Sequence, residues 1–384
     1  MQTILSIAVV VVLLTSLGLV IRWGNLILVG QMPTRFFAFF AILFTSGLDV
    51  GLIMFPLTEF PVYSTEADYG FTNPLAIEFG FWGFMIWVFY FLTTFYFSVL
   101  EPRLQLFQIP WVKLVNNVII IATCAFTGYL FLTYLPDYIP ALGTWARFAL
   151  VAVLVLFAVC SSTDIRYVKI LSLSSTWLFF ALIALVWRSG ELGVSGLLTN
   201  LQQIGGYFGN LHRFVLPFND YHAFYLFWWF AWSIMIGQFV ARFVSSLTTW
   251  QLLLALLVIP SIPIALWFSV LFEVYEQGRE ITGMLNVFMM AVGIIFVVNS
   301  LDSLTRLYSD NLELTVERLG RRNYLVLHWS LLYGLILLYQ FTPLQIEWIG
   351  LTVIFLYVGI AMLIVQRRRL LGSLAISETT LKQH

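Results

Sequence analysis

Charged residues are scarce in this chain: 10% of its 384 residues are charged, whereas 61% are hydrophobic. A water-soluble domain of this size carries far more charge on its surface, so the composition excludes that class. There are only two cysteines, Cys124 and Cys160, and both lie in apolar runs, which excludes a disulfide framework. The four histidines lack metal-ligand spacing, and no Walker loop, GxSxG or HExxH motif is present. The net charge is zero, and we expect no nucleic-acid partner.

The abundant apolar residues form runs that are long enough to cross a bilayer as helices. A β-barrel would show short alternating segments instead, and unpaired backbone is not tolerated in lipid. We therefore predict an all-α polytopic membrane protein with about eleven transmembrane helices. They are expected at 3–21, 36–59, 80–100, 115–135, 146–161, 168–188, 222–243, 250–272, 284–304, 324–342 and 348–365.

The few basic residues are distributed unequally between the two sides of these spans. Fifteen Lys and Arg residues fall on one side, which we call the basic side, and four fall on the other. The positive-inside rule places the basic side in the cytoplasm. We therefore expect a multi-pass protein of the plasma (bacterial inner) membrane, with a cytoplasmic C-terminus and the N-terminus outside. The first span lacks a preceding basic residue and a cleavage pattern, so it is predicted to be an anchor rather than a signal peptide.

The spans divide into two sets of five after the first is set aside. The predicted domains are an N-terminal peripheral helix, two five-helix repeats, a connecting segment on the outer side and a cytoplasmic tail: 1–30, 31–188, 222–366, 189–221 and 367–384. The connecting segment is predicted to be an interfacial amphipathic helix, and an ordered loop is the alternative. Units with an odd number of spans enter the membrane from opposite sides, as an inverted-repeat transporter requires.

The opening helix of the first unit contains an acid between two glycines, in the stretch FTSGLDVGLIMFPLTEFP. Gly47 and Gly51 lower helix propensity, and Asp49 lies between them at bilayer depth. Close helix packing through small residues would explain the glycines but not the carboxylate. An acid at this depth is costly and usually functional. We therefore expect Gly47, Asp49 and Gly51 to border a substrate or ion site.

Tryptophans crowd the opening helix of the second unit, which reads FYLFWWFAWSIMIGQFVAR and contains Trp228, Trp229 and Trp232. A second aromatic group, Trp82, Trp87 and Tyr90, lies in the third span. Taken singly, such residues are more often packing or interface residues. Together, rings from two helices can enclose a quaternary ammonium by cation–π attraction.

These residues resemble the signatures of the betaine/choline/carnitine transporter family. Its FYWxWWxxWxPFVGxFxARxSRGR helix is similar to FYLFWWFAWSIMIGQFVARFVSS here, and its HWGxHxWxxY helix is similar to the segment around Trp82 and Trp87. Its TSxDS motif resembles the stretch from Asn299 to Ser303, and its glycine-rich AGMGIGLxFWGVAEP stretch resembles SGLDVGLIMFPLTEF. The resemblance implies a LeuT-like 5+5 inverted-repeat core, alternating access and often a homotrimer. The family normally has twelve helices, and the first has no counterpart here.

The resemblance also implies site residues. The aromatic box would be Trp82, Trp87, Tyr90 and Trp229, with Trp228 and Trp232 on the entry route or in a second cage. Sodium ligands would be the carbonyls of Thr45, Leu48 and Phe296 with the side chains of Asn299 and Ser300. A second sodium ion would lie at Thr123 and Thr127, whose hydroxyls otherwise bond back to their own helix. No other cofactor is expected.

Several positions depart from the family pattern. Leu226 and Ile234 replace a Trp and a Pro, the SRGR run after Arg242 is lost, and Asn299 stands where a Thr ligand is expected. Asp49 replaces a glycine near the expected headgroup. An ionised Asp49 would favour a solute of net positive charge, such as choline, and a carboxyl group there could also carry a proton.

The predicted function is therefore secondary transport of choline, glycine betaine or carnitine, coupled to Na⁺ or H⁺ or driven by exchange. A non-transporting sensor or accessory protein on the same fold is the main alternative. A transporter of another bulky amine also stays open. A membrane enzyme is disfavoured, because no nucleophile–base or metal constellation is present. Asp302 and Arg306, four residues apart on a predicted helix, are interpreted as a structural pair at the basic side.

Overall fold

The computed structural model describes residues 1–46, 50–164, 166–190 and 193–371. The helices up to the end of the first unit are α1 Gln2–Trp23, α2 Phe36–Ser46, α3 Gly51–Thr65, α4 Pro74–Trp82, α5 Trp87–Phe95, α6 Glu101–Leu104, α7 Pro110–Tyr138, α8 Thr144–Ser161 and α9 Arg166–Ser189. Short 3₁₀ turns cover Ala67–Tyr69, Phe84–Ile86 and Leu106–Gln108, and a π-helical turn covers Tyr96–Leu100.

The remaining helices form the connecting segment and the second unit. They are α10 Val194–Gln203, α11 Gly205–Gly209, α12 Leu211–Phe214, α13 Asp220–Ala241, α14 Thr249–Val258, α15 Ser261–Glu276, α16 Gly283–Leu312, α17 Val316–Leu319, α18 Arg321–Phe341 and α19 Ile346–Gln366. A 3₁₀ turn follows at Arg368–Leu371. Strands β1 Ile27–Leu28 and β2 Leu247–Thr248 pair antiparallel, with Ile27 opposite Thr248.

Ten helical segments in the described part of the chain are long and apolar enough to cross a membrane, and Phe36–Thr45 is a shorter apolar helix. Each predicted span overlaps helix in the described residues. The ends differ, however, because the helices continue beyond the apolar runs. Thus α7 runs from Pro110 to Tyr138, where a span was expected at 115–135. The all-helical polytopic fold is confirmed.

Helix packing has the same pattern in both units. In the first unit the opening helix α2 packs against the closing helix α9, and in the second α13 packs against α19. Across the units, the second span of each unit packs on the first span of the other, as α5 on α13 and α15 on α3. The third span of each unit packs on the fourth span of the other, as α7 on α18 and α16 on α8. Exchanging the units leaves this pattern unchanged, as expected of two structural repeats of five spans each.

The crossing of α13 and α19 depends on a glycine. A β-carbon at Gly350 would collide with the backbone carbonyl of Phe227. We expect Gly350→Ala to destabilise the fold by about 1–3 kcal/mol, because the two backbones must move apart. The matched control is Gly334→Ala in α18, where nothing lies within 4 Å and alanine improves helix propensity. Thermal unfolding in detergent is the measurement, and a Gly350→Ala melting temperature at or above wild type would contradict this packing argument.

Candidate substrate and ion sites

A break in the second span of the first unit positions the predicted aromatic residues. Trp82 ends α4, Gly83 is extended, Phe84 has a φ of 46°, and Trp87 begins α5. The break leaves the carbonyls of Phe81 and Trp82 without helical partners. Indole N–H groups donate to these two carbonyls in place of backbone N–H groups. Trp229 Nε1 donates to the Phe81 carbonyl at 2.8 Å, and Trp87 Nε1 donates to the Trp82 carbonyl at 3.2 Å. The tryptophans therefore satisfy buried backbone as well as presenting rings.

Five of the predicted aromatic residues form one cluster, which we call the indole layer. Trp82 meets Trp228 and Trp229 edge to face, with ring centroids 5.4 and 5.2 Å apart. Trp228 and Trp229 stack at 5.0 Å with 9° between their planes. Tyr90 lies 5.1 Å from Trp87 and 6.5 Å from Trp229. Trp87 and Tyr90, three residues apart on α5, thus lie on one helical face, whereas Trp82 lies on the other side of the break.

Trp232 is buried but makes no close ring contact with another aromatic among the described residues, and its Nε1 has no hydrogen-bond partner there. The structure therefore does not bring it into the indole layer. Two other aromatic residues, Phe55 and Tyr225, contact the indole layer instead. Their ring centroids lie 5.9 and 5.8 Å from that of Trp82. The rings of the layer are fully buried and cover one another. A cation can therefore bind only if the rings move apart or if it contacts a ring face at the edge of the layer.

A polar group that sequence reasoning missed lies next to this layer, and we call it the acid cluster: Glu59, Glu78, Tyr63, Tyr134, Tyr221 and Tyr225. Tyr63 donates to Glu78 Oε2 at 2.9 Å, and the Tyr134 hydroxyl lies 3.5 Å from Glu59 Oε1. Glu78 is fully buried, one helical turn before Trp82. The sequence does show the Glu78 carboxylate beside an apolar run. It was missed because the span was predicted to start at residue 80, whereas α4 begins at Pro74 and contains Glu78.

A polar cavity of about 600 Å³ lies at the basic side. It is lined by the π-helical turn and by the ends of α7, α13 and α16 on that side. Three of the lining side chains form what we call the amide cluster, Asn116, Gln238 and Asn311. Gln238 and Asn311 donate to each other at 3.3 and 3.4 Å, and Asn116 donates to Gln238 at 3.5 Å. Arg242 pairs with Asp310 at 3.4 Å in the same cavity wall.

The first predicted sodium site is partly assembled. Asn299 Nδ2 donates to the Thr45 carbonyl at 3.0 Å, and its Oδ1 accepts from Ser172 at 3.4 Å. Ser300 and Phe296 are buried on the same helix, α16. The Thr45 carbonyl, expected to bind an ion, therefore faces an amide N–H. Leu48 lies outside the described residues, as do Gly47 and Asp49, so the predictions for these three positions remain predictions; Gly51 begins α3.

The second predicted sodium site consists of Thr123 and Thr127 on α7, which are both fully buried. Neither hydroxyl has a hydrogen-bond partner in the described part of the chain. Thr45 and Thr133, by contrast, bond back to the carbonyl four residues earlier. The back-bonded alternative therefore does not apply to Thr123 and Thr127. Two hydroxyls are fewer than the oxygen ligands that a hard cation takes, so further oxygens would have to join them.

Asp302 and Arg306 form the predicted structural pair, with 3.2 Å between Oδ1 and the guanidinium. The pair is buried, and Arg306 also donates to the carbonyls of Ser161 and Asp164 at 3.2 and 3.0 Å. These bonds join α16 to the end of α8 at the basic side. The arrangement positions helices and does not face the indole layer.

Comparison with known proteins gives relatives for part of the chain. A glycine betaine transporter of Bacillus subtilis is 26% identical over 302 residues, which cover 65% of this chain and 57% of that protein. An uncharacterized transporter of Mycobacterium bovis is 33% identical over 79 residues, which cover 18% of this chain and 13% of that protein. The matches thus span less than two thirds of the length of these relatives.

Among solved structures, the substrate-bound outward-open state of a Na⁺-coupled sialic acid symporter covers 94% of this chain and 82% of its own, with 13% identity and a TM-score of 0.46. The family model described as BCCT, betaine/carnitine/choline family transporter, matches residues 129–274. This segment includes α13 and its three tryptophans. The resemblance seen in the sequence is therefore confirmed: over residues 129–274 this multi-span membrane protein matches the betaine/carnitine/choline transporter family.

Proposed function

We propose that the protein is a secondary active transporter of a quaternary-ammonium solute of the choline, glycine betaine or carnitine type. The observation that carries the proposal is the indole layer. Its rings come from α4, α5 and α13, helices of different repeats, and it is fully buried. Quaternary ammonium groups have no N–H to donate, so stacked aromatic faces recognise them by cation–π attraction, worth about 2 kcal/mol when desolvated.

The surroundings of the indole layer support alternating access. Successive residues of α13 pass from Tyr221 in the acid cluster, through Trp228 and Trp229, to Gln238 and Arg242 in the wall of the polar cavity. The polar cavity therefore reaches α13 from the basic side at Gln238, nine residues beyond Trp229, while packed rings and carboxyl groups lie on the other side of the layer. We propose that the basic side is cytoplasmic, that the membrane is the plasma (bacterial inner) membrane and that three copies associate.

The direct test is uptake of labelled choline and glycine betaine into proteoliposomes. Three conditions separate the driving forces: an inward sodium gradient, an inward proton gradient, and preloaded unlabelled solute. We expect saturable uptake, at least with preloaded solute, because exchange needs no ion gradient. Absence of flux in all three conditions, with solute still quenching tryptophan fluorescence, would support a non-transporting sensor or accessory protein instead.

The contact between Asn299 and Thr45 leads to a prediction about sodium. The Asn299 amide N–H donates to the Thr45 carbonyl oxygen that a sodium ion would use as a ligand. An ion can therefore bind there only if the amide rotates so that its oxygen replaces its NH₂ group. We therefore expect Asn299→Thr, which has no N–H, to increase the stimulation of uptake by sodium severalfold over wild type. Sodium titration of uptake and of tryptophan fluorescence is the measurement. Ser172→Ala is the control, because it removes only the partner of the Asn299 oxygen.

Equal sodium response in wild type and Asn299→Thr would contradict the exclusion of sodium by the amide. A response that persists in Asn299→Thr but is lost in Thr123→Val would place the ion at Thr123 and Thr127 instead.

A further inference from the structure

Glu78 is a fully buried carboxyl group without a charged partner. It lies on α4, inside the apolar helical segment Pro74–Leu104, which is long enough to cross the membrane. Among the described residues, the ion pairs involve Arg166, Arg242, Arg306 and Arg318, and none of them reaches Glu78 or Glu59. An ionised carboxylate that is removed from water costs several kcal/mol unless it is paired. The site must therefore hold a cation or a proton.

The hydrogen bonds around Glu78 are incomplete in a way that indicates a missing proton. Oε2 accepts from Tyr63, whereas Oε1 is buried and makes no hydrogen bond of normal geometry among the described residues, although the indole of Trp82 interacts with the same carboxyl group. The Tyr225 hydroxyl is also fully buried and has no partner there, although it interacts electrostatically with both Glu78 and Glu59. A proton on Oε1 would turn this oxygen into a donor, for which the cluster offers acceptors. These two oxygens, which lack a hydrogen bond of normal geometry, are the observation that distinguishes this site from a mere group of acids.

The titratable groups that surround Glu78 are acids, phenols and one imidazole. Tyr63 and Glu59 come from α3, and His222 on α13 stacks on Phe81 with 5.2 Å between ring centroids. The other groups, on the helices and turns packed around α4, are Tyr69, Tyr134, Tyr207, Tyr221, Tyr225, Glu273 and Tyr275. Glu273 accepts from Asn200 and Gln277, and Tyr275 pairs with Ser64, so these two groups have partners elsewhere.

We propose that Glu78 binds a proton at Oε1 and that this proton is the coupling ion of the transport cycle. The inference rests on the proposed transport function. The proton comes from water on the side opposite the basic side, forms the O–H bond of the neutral acid, and leaves as H⁺ to water on the basic side when the carboxylate re-forms. Because Glu78 lies one turn from Trp82, its charge is felt at the indole layer. An ionised Glu78 repels the carboxylate of a zwitterionic solute such as glycine betaine, and a proton on Glu78 removes this repulsion, so the proton and the solute bind together.

The test compares Glu78→Gln with wild type in two modes. Glutamine keeps the shape and can accept from Tyr63, but it cannot exchange a proton. We expect Glu78→Gln to lose accumulation driven by a proton gradient while it retains exchange with preloaded solute. Glu280→Gln is the matched control, because this side chain is exposed and lies outside the polar cavity, and it should retain both modes. Infrared difference spectra of wild type and Glu78→Gln, recorded in acidic and alkaline buffer, report the protonated carboxyl independently of flux.

Each other outcome overturns the inference in a recognisable way. Wild-type accumulation in Glu78→Gln, or exchange in wild type without any proton-driven accumulation, shows that Glu78 carries no coupling proton. If Glu78→Gln loses both exchange and accumulation, the residue is needed for solute binding or folding. If the infrared difference spectrum of wild type then equals that of Glu78→Gln, Glu78 binds no proton. Absence of exchange in wild type removes the transport function itself, and the inference with it.

Discussion

Replacing Trp229 by alanine is expected to weaken solute binding by about 30-fold or more and to abolish measurable uptake. The change removes a cation–π face worth about 2 kcal/mol in a desolvated site, and 1.4 kcal/mol corresponds to a factor of ten in affinity. It also removes the N–H that binds the Phe81 carbonyl. Binding is measured by quenching of the remaining tryptophans, and uptake is measured in proteoliposomes.

Trp229→Phe separates the two contributions of this side chain. Phenylalanine keeps an aromatic face but leaves the buried Phe81 carbonyl without its donor, which costs about 1–3 kcal/mol. We therefore expect a smaller loss of affinity than in Trp229→Ala together with a lower melting temperature. Trp145→Ala is the control, because this tryptophan is 89% exposed. Unchanged affinity in a folded Trp229→Ala protein would exclude the indole layer as the binding site.

Replacing Arg306 by methionine is expected to cause the largest loss of stability. Asp302 is fully buried, and removing its partner leaves a charge without compensation, which costs about 3–5 kcal/mol. The carbonyls of Ser161 and Asp164 lose a donor in the same step. The melting temperature in detergent should fall markedly, and little folded protein should be recovered from membranes.

Arg318→Met provides the matched comparison for Arg306→Met. Arg318 pairs with Glu313 at 3.1 Å, but both side chains are about two thirds exposed, at 65% and 69%. Exposed pairs contribute about 0–1 kcal/mol, so we expect hardly any change. Equal melting temperatures for the two variants would mean that the pair of Asp302 and Arg306 is dispensable for folding.

The membrane spans could be predicted from the sequence because the signal is physical and local. An apolar run of sufficient length must become a helix in lipid, and the residues that flank it decide only the ends. The same reasoning misplaced Glu78. The run was predicted to start at residue 80, after the last acid, but Asn73 caps α4 by accepting from the backbone N–H of Ala76 and so starts the helix earlier.

The candidate site was predicted in part because aromatic spacing and family resemblance identify ring types, whereas ring packing depends on backbone breaks. The position of Trp82 relative to Trp87 depends on the extended Gly83 and the positive φ of Phe84, which a helical wheel cannot represent. Trp232 belongs to the same sequence signature as Trp229, yet it makes no close ring contact in the described structure. The direction of the Asn299 amide is likewise decided by Thr45 and Ser172, which lie far away in the sequence.

The amide cluster has a consequence for selectivity. Asn116, Gln238 and Asn311 are neutral, and each amide can turn either its oxygen or its NH₂ group toward a passing solute. These amide groups solvate a cation and a carboxylate about equally well, and dissolved salt does not screen them as it screens the Arg242–Asp310 pair in the same wall. On the proposed function, the amide cluster would then discriminate poorly between choline and a zwitterion, so the solute must be selected where the indole layer and Glu78 meet.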